Sequence, residues 1–204
     1  MSLSLPQPPA AALRAVLNAL DSPTAVRAVR TSAMRHRRGQ LAPAHALPVH
    51  LLDPVTPVPP AAPVSLTRPT GGLLSGARRT GWRFLIQDGE DVVAAAETRE
   101  TADGHVFAYF AEGPYPVSTL RALHQARTHI AVSATPYVPR LLSVPGRYMT
   151  ALWLHPVLDP ARGRDLLIPL APAPLGVTAH VPHDADELLA LLSNGNGSLL
   201  TAAS

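Results

Sequence analysis

"LAPAHALPVHLLDPVTPVPPAAPVSLTRP", residues 41–69, decides how the rest of the chain is read. It carries eight prolines. Proline has no N–H to give to a ladder and cannot continue a helix, so the stretch reads as an extended linker or as a strap laid over the surface. The aliphatic side chains of Leu47, Val49, Leu51, Leu52, Val55 and Val58 favour the strap, because a free linker has little use for them. Gly71, Gly72, Gly76 and Gly81 then mark a flexible entry into the next unit. The chain thus divides into a basic helical arm over residues 1–40, a proline- and glycine-rich strap over 41–80, and a compact domain over 81–204.

Within that domain the hydrophobic pattern alternates between periods of two and of 3.6. Trp82–Ile86 and Val92–Thr98 are apolar runs separated by "QDGED", a hairpin signal. His105–Phe110, reached through "TADG", is a third strand. A helix follows, and then "YVPRLLSVPGRYMTALWLHP" supplies two more strands, with Pro145 and Gly146 suited to a type II turn. "RDLLIPL" is a short sixth strand that Pro169 confines to an edge or brings to a stop. The closing "HDADELLALLSNGNG" is a helix, with Asp184 and Glu187 as a capping box and Asn194 or Gly195 as its stop. The expected fold class is α+β: an antiparallel sheet of five to six strands, arranged as three strands, helix, three strands. Its helices pack on one face, preceded by the helical arm and the strap.

The arm itself reads as two helices. Leu13, Val16, Leu17 and Leu20 share one helical face, and Ser22 with Pro23 restarts the pattern for a second helix running to about Met34. Arg27, Arg30, Arg35, Arg37 and Arg38 make this end basic, which suits an anionic partner such as nucleic acid. The same arginines also suit a helix C-terminus, where cations offset the dipole, and no aromatics are interleaved for base stacking.

Composition narrows the classes further. Apolar residues make up 47% of the chain and charged ones 15%, a balance that folds and does not stay disordered. All seventeen basic residues are Arg, the usage of a GC-rich genome, which weakens any argument from arginine alone. With no cysteine there is no disulfide, thiolate metal site or cysteine nucleophile. No apolar run approaches the length of a membrane span and the N-terminus lacks a leader pattern, so a soluble, cytoplasmic protein is expected. No phosphate loop, dinucleotide fingerprint, zinc-protease or nucleophile-elbow pattern is present, and no cofactor or metal is expected.

Polar side chains concentrate in "AEGPYPVSTLRALHQARTH", residues 111–129. Zeroed on Leu120, a helical wheel puts Val117, Leu123, Ile130 and Ala131 within about 80° of Leu120, an apolar face turned to the sheet. Ser118 and His124 stand about 120° apart, too far for a nucleophile and its base. Ser118 therefore reads as the helix N-cap, and Arg127 as a cation on the apolar face paired with Glu97 or Glu112. If a ligand binds anywhere, the candidate residues are Glu112, Tyr115, Ser118, Arg121 and Arg127, where a strand end meets a helix start.

The leading expectation is a non-enzymatic protein-interaction or assembly module, with a protein partner or a second copy of the chain. It rests on the low charge and on strands such as "VFAYF" and "TALWL" that are apolar on both sides. A small enzyme or ligand-binding domain using the region near the end of the third strand and the start of the central helix is one alternative. A nucleic-acid-associated protein using the basic arm is the weaker one.

Overall fold

The computed structural model of the chain describes residues 3–26, 34, 40–53, 72–131, 135–157 and 163–194. Among them lie eight strands in a single sheet and four helices. In chain order the elements are α1 (Ala10–Leu20), α2 (Pro23–Val26), β1 (Leu41–Leu51), β2 (Arg78–Asp88), β3 (Asp91–Thr101), β4 (Gly104–Ala111), α3 (Pro114–Ala131), β5 (Tyr137–Val144), β6 (Met149–Pro156), β7 (Leu166–Pro169), β8 (His183–Asp184) and α4 (Ala185–Asn194). The sheet order is β4-β3-β2-β1-β5-β6-β7-β8. Every pairing is antiparallel except β1 with β5, which is parallel.

The class is α+β, as expected, but the strand count and the helix placement need correction. The first eleven residues of the proline-rich stretch form β1, in the middle of the sheet. Proline is tolerated in a strand where its missing N–H would have no partner. Pro43 and Pro48 both fall in the part of β1 that is paired with β2 alone, since β5 joins only at Val49–Leu51. Leu47 and Val49 are buried in return. Burying such a side chain contributes roughly 1.5–3 kcal/mol, against about 1 kcal/mol net for one ladder hydrogen bond, so burial wins. A bulge between Ala44 and Leu47 puts His45 in the left-handed region at φ 46°, a conformation that histidine adopts more readily than branched residues. Residues 54–71 of the strap lie outside the described residues.

The helices cover both faces of the sheet. Leu141, Leu152, Leu154 and Ile168 meet α3 through Ala122, Leu123, Ala126 and Ile130. Their strand neighbours Leu142, Ala151, Trp153 and Leu167 point the other way and meet α4 through Ala185, Leu188 and Leu189. Residues alternate in direction along a strand, so α3 and α4 lie on opposite faces. This also explains "TALWL" as a strand sandwiched between two helices.

On the α4 side, α1 packs Ala12, Val16 and Ala19 onto Trp82, Phe84, Ile86 and the small Ala94 and Ala96. In register, Phe84 stands opposite Ala96 and Ile86 opposite Ala94, so large and small side chains alternate and the helix can approach closely. The shared side follows from Pro48, which stands opposite Trp82 and points the same way as His50, which meets Trp153.

The turns follow local chemistry. Gly89 takes φ 64° between β2 and β3, and Gly104 takes φ 119° at the start of β4. Between β5 and β6 the expected type II turn is replaced by a 3₁₀ turn over Pro145–Arg147, and Tyr148 takes the left-handed conformation. The Asp184 carboxylate accepts from the N–H groups of Asp186 and Glu187 (3.1 and 3.3 Å), the cap foreseen for α4.

Gly81 tests the crowded centre. It stands opposite Val49 on one side and Arg99 on the other, and a Cβ there would lie 1.8 Å from the Thr98 carbonyl oxygen. Gly81→Ala is expected to cost roughly 3 kcal/mol, the upper end for overpacking. Gly76→Ala, whose Cβ would meet only Leu52 Cδ1 at 3.7 Å, should be nearly neutral. Urea unfolding of the two variants checks the contrast.

Candidate functional site

The polar residues at the start of α3 bind the protein's own chain. The helix begins at Pro114, whose missing N–H is one that a first turn leaves unpaired, so Ser118 lies inside the helix and is not its N-cap. Ser118 is buried; its Oγ accepts from the Ala171 N–H at 2.8 Å and sits 2.7 Å from His180 Nε2. Burial and the charge of Arg121 lower the pKa of His180, which favours the neutral ring beside Ser118. The Tyr115 hydroxyl reaches the Pro172 carbonyl oxygen at 3.4 Å. Tyr115 and Ser118 thus fasten the segment 171–180 to α3, and Arg121 is near enough for its charge to act on His180.

Glu112 is half-buried beyond the end of β4. Arg127 is exposed, and its charge with that of His124 adds to burial in pushing His45 down. The expectation of Arg127 on the apolar face is corrected because the buried stripe runs through Thr119, Ala122, Leu123, Ala126 and Ile130. That stripe is rotated by roughly a quarter turn from the one drawn through Leu120 and Val117. Glu97, one expected partner of Arg127, instead forms an ion pair with Arg83, both side chains being largely buried. The arginines 27, 30, 35, 37 and 38 of the expected basic patch lie outside the described residues.

A different set of residues forms the most developed site. Between α1 and α4 the sheet face over β1, β5 and β6 carries two adjoining depressions. One, of about 690 Å³, is floored by Pro48, His50, Trp82, Val138 and Arg140. The other, of about 720 Å³, is lined by Trp153, His155, Asp165, Arg164 and Glu187 among others. They meet along one ridge, because Arg140 stands opposite Trp153, and Val138 opposite His155, in the β5–β6 register.

The ridge is organised around the Trp153 indole. The Arg140 guanidinium carbon lies 4.7 Å from its ring centre. His50 and His155 approach it edge-on, with ring centres at 5.2 and 5.6 Å. One carboxylate oxygen, Asp165 Oδ1, accepts from the indole Nε1–H at 2.7 Å and from His155 Nδ1–H at 2.8 Å. That pairing fixes the His155 tautomer with its proton on Nδ1 and leaves Nε2 as an acceptor. At the far side Arg79 donates two hydrogen bonds to Glu100, at 2.9 and 2.8 Å.

Two polar atoms of the floor, Trp82 Nε1 and His50 Nδ1, are buried without a hydrogen-bond partner among the described residues. Burial of the ring, with the nearby Arg140 charge, pushes His50 down to about 4. Burial likewise lowers Arg140, against the opposing influence of Asp165. Among the described residues no three His, Asp or Glu side chains are grouped to hold a metal ion.

Sequence reasoning missed this site. "TALWLHP" places Trp153 and His155 two apart, hence on one face of a strand, which was a readable signal. Nothing in sequence order links them to His50 or Arg140. No family model, curated protein or solved structure matches the chain.

His50 gives a pH test. Its folded value lies below the unfolded imidazole value of about 6.5, so between those two the unfolded chain binds the extra proton. Stability is therefore unaffected by His50 above about pH 6.5 and falls as pH drops toward 4. His50→Gln should flatten the fall of stability across that window, measured by urea unfolding at stepped pH. An equally steep fall in the variant would show that His50 is not the group responsible.

Proposed function

We propose that the protein is an interaction module that takes up part of a partner molecule in the groove between α1 and α4. The observation that carries this reading is the strand-borne floor, where Trp82, His50, Arg140, Trp153 and His155 line adjoining depressions on one face. Sites built on strands hold their side chains more rigidly than sites on loops. Such a floor, part aromatic and part polar, is the usual character of a ligand pocket. Edge strand β4, with Val106 and Tyr109 exposed, offers a second surface where a protein partner or a second copy of the chain would pair. Nucleic-acid association through the arginines of the arm stays the weaker alternative.

A groove-blocking variant tests the main reading. A ligand present at about a hundred times its Kd adds roughly 2.7 kcal/mol to stability, enough to raise Tm by several degrees. In a thermal-shift screen of organic acids, amines, sugars, nucleotides and short peptides, compounds that raise Tm are expected to lose their effect in Val138→Trp. Shifts that survive the blockade, or the lack of any shift, would count against the groove.

The His155–Asp165 pair favours a second reading, in which the bound molecule is also transformed. A carboxylate that orients an imidazole with Nε2 outward is the arrangement of a general base. Water would attack an ester carbonyl, its proton passing to Nε2 and then to the departing alcohol. This reading expects ester hydrolysis that falls at least tenfold in His155→Gln while the fold is retained. Equal rates for the variant and the parent protein would end it.

A further inference from the structure

The arginines in and beside the sheet differ in what faces them, and Arg99 on β3 is exposed to solvent. Arg78 lies 3.6 Å from Asp53, Arg79 is bonded to Glu100, Arg83 to Glu97, and Arg164 lies 3.4 Å from Asp184. Arg140, on β5 in the middle of the groove, is half-buried. No carboxylate of the described residues lies within ion-pair distance of it. The nearest acidic influence is Asp165, whose Oδ1 is already taken by Trp153 and His155. A partly desolvated cation without a counter-ion is costly, and a single indole face offsets only part of that cost.

The guanidinium keeps its planar set of donors, a shape that matches the two oxygens of a carboxylate or phosphate. Val138, Pro48 and Trp82 on the floor are apolar, the His50 ring is kept uncharged near neutral pH by burial, and the two charged side chains that also line the depression, Arg79 and Glu100, are bonded to each other. An acid group at Arg140 would therefore be continued by an apolar body lying over β1 and β2.

Resting on the groove reading above, we infer that Arg140 is the anchor for an organic anion, a carboxylate or phosphate group carried on an apolar body. Arg140 is a binding residue held for that purpose, and the fold does not need its charge.

The chain has two tryptophans, and both border the groove, so the two indole N–H signals of the labelled protein report on it directly. The probes are heptanoate, heptyl phosphate and the neutral heptanamide. Heptanoate or heptyl phosphate is expected to move both signals saturably, and the preferred of the two identifies the acid group. Heptanamide should bind at least about tenfold more weakly, the scale of a charge-assisted hydrogen bond. Arg140→Met should weaken the preferred acid by a similar factor while its Tm equals or exceeds that of the parent, a combination that a structural arginine would not give. If acid and amide bind equally and Val138→Trp blocks both, the groove reading stands and the anion inference falls. Acid binding unchanged in Arg140→Met also overturns the inference, and failure of every probe to bind counts against inference and groove together.

Discussion

Three register pairs between parallel strands, Val49 with Leu141, His50 with Leu142 and Leu51 with Ser143, join the two halves of the sheet. Each half is a run of antiparallel strands closed by a helix: β1 to β4 and then α3, β5 to β8 and then α4. Because β1 and β5 are parallel and each half runs outward from the seam, the halves are related as if by a turn about the strand direction. That relation exchanges the faces of the sheet. It accounts for α3 and α4 lying on opposite sides, where a single covered face had been the simpler expectation.

The seam is treated differently on its two sides. On one, α3 lies across it, and Val49, Leu141 and Leu152 are buried beneath Ala122 and Ala126. On the other, α1 packs on β2 to β4 and α4 on β5 to β7, which leaves Pro48 and His50 of β1 with Val138 and Arg140 of β5 in the groove floor. The alternation of side chains then sorts chemistry by face. Val49 points to the helix while His50 points to the groove, and Leu141 points to the helix while Arg140 points to the groove. The Trp153 indole reconciles these polar groups with a partly buried place, by offering its face to the arginine and its N–H to Asp165.

What was legible in the sequence was local. Trp82–Ile86, Val92–Thr98 and His105–Phe110 fall within β2, β3 and β4, because turn residues next to each run, Gly89 and Gly104 among them, announce the hairpins. The Asp184 cap was equally plain. β1 was not, although Leu47, Val49 and Leu51 alternate as a strand should. Its prolines argue against a ladder only when both neighbours are paired, and the partner that leaves Pro43 and Pro48 free is fixed by topology. The stripe of α3 was misplaced for a related reason: large aliphatics drew the wheel toward Leu120 and Val117, whereas close packing on the sheet selects Ala122 and Ala126. The site escaped because its members come from β1, β2, β5, β6 and the residues before β7, each unremarkable in its own segment.

The claim on which the rest depends is that residues 47–51 are an inner strand. Hydrogen–deuterium exchange of the intact protein measures this most directly. Amides of residues 47 and 49–51 should exchange as slowly as those of Phe84–Ile86 and Leu141–Leu142, opening only with global unfolding. Exchange of that segment within seconds, while its supposed neighbours stay protected, would mean a surface strap and would remove the floor from the groove.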